Sequence, residues 1–162
     1  MGKAALDSTD VRILGAVQQH GQLSKSALAE MVNLSPTPCW VRLGKLKKAG
    51  LIRGYHADIA IEKLIDLTKV IVTVSLKTHR KSDFERFETR IKSTDEIVEC
   101  IATGGGTDYV MKVISPNLTS FQTLMESLLT SDIGIDRYMI YIVTREVKAA
   151  LPNLQQLLAD KA

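Results

Sequence analysis

Residues 24–50 constrain the fold of this chain more than any other segment, because two short helical patterns flank a tight turn. The segment reads SKSALAEMVNLSPTPCWVRLGKLKKAG. Ser24 is placed to cap the first helix and Ser35 to cap the second. Pro36 falls at the first helical position, where its missing N–H costs nothing. Gly50 ends the second helix, so the sequence predicts a compact two-helix unit.

The second helix of this unit has an apolar side and a basic side. Cys39, Leu43 and Leu46 recur at i, i+4 and i+7, which predicts that they face a core. No Asp or Glu occurs between Glu30 and Asp58, whereas this interval holds five cations. These are Arg42, Lys45, Lys47, Lys48 and Arg53. A two-helix unit whose second helix exposes only positive charge is typical of a helix-turn-helix that reads DNA.

The exposed side of the second helix is expected to enter the major groove of double-stranded DNA. The expected base contacts, near the helix N-terminus, are Thr37, Pro38 and Arg42. The expected phosphate contacts are Ser35 with the free N–H groups of the first turn, Lys45, Lys47 and Lys48. The alternative is a solvated basic face. Loss of binding on Arg42→Ala would support base contact, and unchanged binding would count against it.

One more helix precedes this pair. Asp7 can cap it, Val11, Leu14 and Val17 form its apolar stripe, and Gly21 follows as a stop. For the next helix, the expected inward residues are Ala27, Leu28 and Met31. Residues 1–55 are therefore predicted to form a three-helix DNA-binding domain, and residues 56–68 a connector.

The hydrophobic period changes after residue 69. Strand patterns occur at about 70–77, 96–103, 109–114 and 135–144, and helical patterns around 84–91 and 121–129. This order, β-α-β-β-α-β, is the ferredoxin-like arrangement, so the fold class is α+β. Residues 69–162 are assigned to one ligand-sensing and oligomerisation domain, whose last leucines would cap a neighbour.

A four-stranded sheet of this kind leaves one face without helices. The first strand offers β-branched residues to both sides, for example Val70 to one and Ile71 to the other, so both faces need cover. Pairing of two sheets, either face to face or edge to edge into one continuous sheet, would supply it. We therefore expect the C-terminal half to form a homodimer.

Charge divides the 162 residues into two functional halves. Residues 1–57 carry +5 and residues 58–162 carry −2. The polyanionic partner is thus expected on the first half. Cys39 and Cys100 are expected to be buried, reduced thiols. With no apolar run of about 20 residues, a membrane partner is not expected and a cytoplasmic location is.

Catalytic and metal-binding patterns are missing from the sequence. The three histidines are scattered, no cysteine or acid lies at metal-ligand spacing, and there is no G-x-S-x-G motif. No catalytic residue, metal or cofactor is assigned, and an enzyme is disfavoured.

Four segments together resemble the Lrp/AsnC family, also called feast/famine regulators. They are LDSTDVRIL, SPTPCWVRL, AGLIRGYHA and TGGGTDYVMKV, and they occur in the family's order over nearly the whole chain. The resemblance implies a transcription regulator with an N-terminal winged or plain helix-turn-helix. It also implies a C-terminal domain that assembles dimers into tetramers, octamers or larger rings and senses amino acids or related metabolites. It places Ser35, Thr37, Pro38, Arg42 and Lys45 on DNA-contacting positions.

The same resemblance locates an effector loop at residues 103–109. The family's TG and DY pairs map onto Thr103 with Gly104 and onto Asp108 with Tyr109. Gly105, Gly106 and Thr107 lie between them, one residue more than usual, and the N–H groups of three successive glycines could hold a carboxylate. The alternative is a flexible hairpin loop. Gly44 also departs from the family, which often carries a larger or basic residue there.

Three functions remain open from the sequence. The first is a sequence-specific transcription regulator that responds to an amino acid or related metabolite. The second is a nucleoid-type architectural protein with little sequence preference, which steep salt dependence and a small specificity ratio would reveal. The third, a metabolite-binding module without DNA function, is disfavoured by the basic segment.

Overall fold

The computed structural model describes residues 5–159, which form two compact units. Of these residues, 5–59 and 148–159 form one unit. The other runs from Ala60 to Val147.

Three helices form most of the first unit. They are α1 (Ser8–His20), α2 (Lys25–Met31) and α3 (Pro36–Lys48). Asp7 caps α1 as predicted, and Gly21 ends it with a positive φ of 70°. Ser24 caps α2 by accepting a hydrogen bond from the Ala27 N–H. Ser35 occupies the N-cap position of α3, but its side chain makes no capping hydrogen bond.

The core of the first unit confirms the predicted inward side of α3. Cys39, Leu43 and Leu46 are all buried, and Leu28 from α2 is fully so. The predicted inward face of α2 is wrong at Met31, which is 47% exposed. Helix α2 ends at Met31, and the turn that follows carries Val32 into the core instead.

The C-terminal segment differs from its expected place in the sensing domain. Helix α6 (Leu154–Leu158) packs with α1, and Leu154 lies against the core of the first unit. An amphipathic stretch of five residues cannot bury its leucine alone, and the three-helix unit provides the apolar surface. The last segment is thus grouped with the helix-turn-helix rather than with residues 69–147.

The second unit has the predicted ferredoxin-like order. A short 3-10 helix (Ile61–Lys63) precedes six elements. These are β1 (Thr68–Leu76), α4 (Lys81–Lys92), β2 (Ile97–Ala102), β3 (Tyr109–Ser115), α5 (Leu118–Thr130) and β4 (Ile135–Ile142). The strands form one antiparallel sheet in the order β2-β3-β1-β4.

Both helices cover the same face of this sheet. Val70, Val72 and Val74 of β1 are fully buried on that face, against Phe87 of α4 and Phe121 of α5. The intervening residues of β1 point to the opposite face, where none of the helices of this unit packs, and are only half-buried.

Apolar side chains also line the helix-free face, here called the open face. Strand register aligns Ile101, Val110, Thr73 and Met139 in one row across all four strands. Ile101 is 50% exposed and Met139 is 57% exposed. A second row pairs Ile71 with Tyr141, which is also about half exposed. In the single chain, the open face therefore exposes these apolar side chains to water.

Cys100 does not match its predicted burial. It lies on β2, at the edge of the sheet, and is exposed, whereas Cys39 is buried as expected. The residue aligns with the buried Met111. Although α4 contacts β2, this edge strand pairs with β3 alone and most of its residues stay exposed. Burial raises the pKa of the Cys39 thiol.

Candidate nucleic-acid interface and ligand loop

Helix α3 presents an exposed basic side. Thr37, Pro38, Lys45 and Lys48 are all exposed, and Val41 between them is 53% exposed. The structure thus brings these predicted DNA contacts together on one side of one helix. Gly44 lies on the exposed part of α3, and a Cβ built there would meet nothing within 4 Å. Packing against the described residues therefore does not account for this glycine.

Lys47 differs from the other lysines of α3. Its ammonium lies 5.0 Å from the ring centroid of Tyr55 and 6.0 Å from that of Trp40. These distances allow cation–π attraction, which holds the charge near the C-terminal end of the helix. Trp40 itself is 44% exposed and is the only tryptophan, so its fluorescence reports on this unit.

Arg42 is the predicted base contact that the structure places differently. Its Nη1 donates to Asp7 Oδ2 at 2.6 Å and to Asp10 Oδ1 at 2.9 Å. Hydrogen bonds first to Asp7 and then to Asp10 raise the pKa of Arg42. The guanidinium is therefore paired with α1 instead of standing free beside the lysines. The sequence holds a signal for this pairing that was missed. Asp7 and Asp10 are spaced i and i+3 at the start of α1, and Arg42 is the one arginine of α3.

Asp7 makes the stability of the first unit pH-dependent. The Asp10 N–H and then Arg42 hydrogen-bond to its carboxylate and lower the pKa of Asp7 below its usual 3.8. A carboxylate with a lowered folded-state pKa stabilises the fold above the unfolded-state value and loses this effect as pH falls through the folded-state value. We expect thermal unfolding, followed by Trp40 fluorescence, to become easier below about pH 4. Asp7→Asn should show a smaller acid effect; an unchanged pH profile would contradict this role.

The glycine loop between β2 and β3 is closed by its own backbone. The Thr103 N–H donates to the Asp108 carbonyl at 2.8 Å, and the Thr103 hydroxyl donates to the Thr107 carbonyl at 2.6 Å. Residues 103–106 are exposed, and Gly105 has a φ of 128°, which side-chain-bearing residues rarely adopt. The loop tip thus offers unobstructed backbone to a ligand.

The side chain of Asp108 is already engaged in the fold. Its Oδ2 accepts a hydrogen bond from the Leu76 N–H at 2.7 Å, and its Oδ1 lies 3.0 Å from His79 Nε2. The Thr107 hydroxyl donates to the Val74 carbonyl at 2.7 Å. These bonds tie the loop to the end of β1, so neither side chain is free in the described chain.

Tyr109 is a core residue. It is 3% exposed, its ring centroid lies 4.5 Å from that of Phe87, and its hydroxyl donates to Glu88 at 3.0 Å. Burial and then the hydrogen bond with Glu88 raise the pKa of Tyr109. Of the seven predicted effector residues, the four at the tip, 103–106, are accessible, and the other three hold the loop in place.

A polar groove lies elsewhere in the second unit, between α4 and α5. It is lined by Arg90, Ser93, Thr94, Glu96, Ser120, Thr123, Leu124 and Ser127. Arg90 donates to the Ser127 hydroxyl at 3.0 Å, and its buried Nε has no partner among the described residues. Sequence reasoning did not identify this groove, because its lining comes from two helices with no shared motif.

Neither a metal cluster nor a membrane span is found in the part of the chain that the structure describes. Residues 5–159 contain no group of three His, Cys, Asp or Glu side chains placed to hold a metal ion. Every helix in the same range is too short or too polar to cross a bilayer.

Comparison with known proteins decides the family. The sequence profile of the Lrp/AsnC ligand binding domain matches residues 69–152, and that of a winged helix-turn-helix DNA-binding domain matches residues 6–53. The chain belongs to the Lrp/AsnC family. In this Lrp/AsnC regulator, residues 49–60 directly after α3 contain no strand, so the first unit shows the helices of that DNA-binding domain without the strands of a wing.

Relatives of this Lrp/AsnC regulator are transcription regulators. The transcriptional regulatory protein DoeX of Halomonas elongata is 44% identical over 143 residues, covering 88% of this chain and 90% of DoeX. The leucine-responsive regulatory protein of Escherichia coli K12 is 34% identical over 143 residues, covering 88% of this chain and 87% of that protein.

A solved structure gives the same result. A transcriptional regulator from Neisseria meningitidis, crystallised as an L-Met complex, superposes with a TM-score of 0.86 at 32% identity. The match covers 94% of this chain and 99% of that one. The Lrp/AsnC protein described here is therefore a DNA-binding transcription regulator with a ligand-binding domain, and not an enzyme.

Proposed function

We propose that this regulator reads double-stranded DNA with the exposed side of α3, assembles through the open face, and binds an amino acid at the tip of the glycine loop. The exposed lysines of α3 and its free N-terminal turn support the first step. Thr37 and Pro38 approach base edges. Ser35, Lys45 and Lys48 contact phosphates. Lys47, which lies beside Trp40 and Tyr55, adds to the positive electrostatic potential that attracts DNA.

The observation that carries this proposal is the charge of α3. Helix α3 holds one arginine and three lysines and no acid. Because Arg42 is paired with two carboxylates, the lysines supply its uncompensated charge. Favourable DNA binding is then expected to fall steeply with salt, while sequence preference comes from the residues near the N-terminus of the helix.

Lys45→Ala tests the phosphate contact. The slope of log affinity against log salt should become shallower by about 0.9 for each phosphate that the protein no longer neutralises. Fluorescence anisotropy with a labelled duplex, selected by the protein from a random library, measures the slope. Lys81→Ala, an exposed lysine of α4, is the matched control and should leave the slope unchanged. An unchanged slope in Lys45→Ala would mean that Lys45 does not contact phosphate.

Dimerisation through the open face is the second part of the proposal. Three apolar side chains there, Ile101, Met139 and Tyr141, are about half exposed in the single chain. Sheet pairing across this face would bury them and give one dimer two copies of α3 for the two half-sites of one duplex. Further assembly of dimers into tetramers or octamers brings glycine loops of neighbouring dimers together.

An amino acid is the proposed effector. The Neisseria meningitidis regulator in the matched structure was crystallised with L-Met, and the matched domain is a ligand-binding domain. The exposed backbone of residues 104–106 offers N–H donors to a carboxylate. Effector binding would shift the assembly equilibrium and so the spacing of the α3 pairs on DNA.

A nucleoid-type role is the competing function. It would need affinity for DNA that is nearly independent of sequence. Competition between the selected duplex and a scrambled duplex at moderate salt separates the two. A selected duplex that competes at least about tenfold better supports a regulator, and equal competition supports an architectural protein.

A further inference from the structure

Arg42 and the two carboxylates of α1 form a closed hydrogen-bonded set. Asp7 lies at the N-cap of α1 and Asp10 three residues later. The Arg42 Nη1 lies 2.6 Å from an oxygen of the first and 2.9 Å from an oxygen of the second. The ion pair therefore joins the first turn of α1 to the middle of α3.

Each carboxylate divides its two oxygens between two tasks. Asp7 Oδ1 accepts the Asp10 N–H at 2.8 Å, and Asp10 Oδ2 accepts the Asp7 N–H at 3.4 Å. The remaining oxygen of each carboxylate accepts Arg42. The hydrogen bonds that cap α1 therefore also hold the two carboxylates in place to accept Arg42 of α3.

The position of Arg42 on α3 allows this ion pair to fix the rotation of the helix about its axis. Its neighbour Leu43 is 3% exposed and faces the core, whereas Val41 on its other side is 53% exposed. Arg42 lies at the boundary between the buried side and the exposed side. Apolar packing sets the depth of a helix with little directional preference, whereas a paired guanidinium fixes its rotation.

We propose that Arg42 is a positioning residue that sets how α3 presents Thr37, Pro38 and Lys45 to DNA, and does not itself contact bases. This proposal rests on the proposed reading of DNA by α3. Asp7 and Asp10 take part in positioning α3 because they hold Arg42, although both carry the negative charge that DNA repels.

Neutralising the two carboxylates separates this role from direct contact, because the two roles predict changes of opposite sign. In Asp7→Asn/Asp10→Asn, Arg42 is present and freed, and two charges that repel phosphate are gone. Direct contact by Arg42 predicts equal or tighter DNA binding. Positioning predicts weaker binding to the selected duplex, by about tenfold. Asparagine caps helices about as well as aspartate, so α1 keeps its start.

Salt dependence gives a second readout that a phosphate contact would change. Arg42→Ala should weaken binding to the selected duplex about tenfold with an unchanged salt slope, while Lys45→Ala changes the slope. The affinity ratio between selected and scrambled duplex should fall in Arg42→Ala. Thermal unfolding followed by Trp40 fluorescence shows whether each variant is folded at the assay temperature.

Charge reversal supplies a rescue that keeps the test valid if a single variant unfolds. Arg42→Glu should lose specific binding, and Arg42→Glu/Asp10→Lys should recover a large part of it. In the double variant, the introduced ammonium on α1 would pair with the introduced carboxylate on α3 and with Asp7. Recovery of the specificity ratio supports positioning. No recovery, in a double variant that folds, would overturn it.

Two further results overturn the proposal. They are unchanged or tighter binding by Asp7→Asn/Asp10→Asn, or a salt slope that falls by about 0.9 in Arg42→Ala. Failure of the proposed function looks different, since the wild type itself would then bind selected and scrambled duplexes equally. In that case the overall affinity of the Asp7→Asn/Asp10→Asn variant still decides the positioning role.

Discussion

Met139→Asp is expected to convert the proposed dimer into a monomer and to weaken binding to a duplex with two half-sites by about 100-fold or more. Met139 is 57% exposed on the open face and ends the row that Ile101, Val110 and Thr73 continue across the sheet. A carboxylate in that row would be buried without a partner on dimerisation, which is strongly unfavourable. Once the two copies of α3 are no longer linked, the second half-site no longer adds to affinity.

Leu129→Asp is the matched control for this prediction. Leu129 is 41% exposed on α5, on the helix-covered side of the same unit, so a charge there disturbs no proposed interface. Light scattering gives the mass of each variant, and anisotropy gives its affinity for duplexes with one or two half-sites. If Met139→Asp remains a dimer of wild-type affinity, the open face is not the dimer interface.

Gly105→Val is expected to abolish the response to the effector while leaving DNA affinity without effector unchanged. Gly105 has a φ of 128°, and strain of this kind in a β-branched residue costs on the order of 1–3 kcal/mol. The loop tip is expected to change its backbone conformation to relieve this strain. A Cβ at Gly105 meets nothing within 4 Å, so the effect comes from the backbone and not from a clash of that atom. The N–H groups proposed to hold a carboxylate would then point elsewhere.

Two other variants locate the effector. Gly106 also has open space around a built Cβ and does not have a positive φ, so Gly106→Ala adds a methyl group without backbone strain and should reduce the response less. Arg90→Ala removes the cation of the groove between α4 and α5. A response that survives Gly105→Val but is lost in Arg90→Ala would move the effector site from the loop to that groove.

Local rules predicted most of the fold from sequence. Helix starts at Asp7 and Ser24, the stop at Gly21 and the buried side of α3 follow from capping and from a period of 3.6, and the structure confirms them. The strand alternation around Val70–Val74 likewise predicted the sheet, and the element order predicted the ferredoxin-like topology.

The differences depend on where an element ends or on which distant surface a residue meets. Met31 fits the helical stripe of α2, but the helix ends there and Val32 enters the core instead. Leu154 could have packed on either unit, and periodicity does not name the partner. Cys100 aligns with the buried Met111, yet it lies on an edge strand where its own side chain stays exposed.

The candidate site shows the same limit. Charge bias identified α3, and family resemblance identified the glycine loop. Neither could show that Arg42 pairs with carboxylates 32 and 35 residues away, or that Tyr109 is a core residue bonded to Glu88. Arg42 and Tyr109 have polar groups that the motifs predicted to be available to DNA or to a ligand. In the structure, both groups are hydrogen-bonded to carboxylates of the same chain.

The most direct test of the regulator is its light-scattering mass in complex with the selected duplex, measured with and without each member of a panel of amino acids. We predict that at least one amino acid changes both the mass of the assembly and its DNA affinity, and that Gly105→Val removes both changes together. A mass and an affinity that no amino acid alters, in a protein that still discriminates selected from scrambled DNA, would contradict amino-acid sensing by this domain.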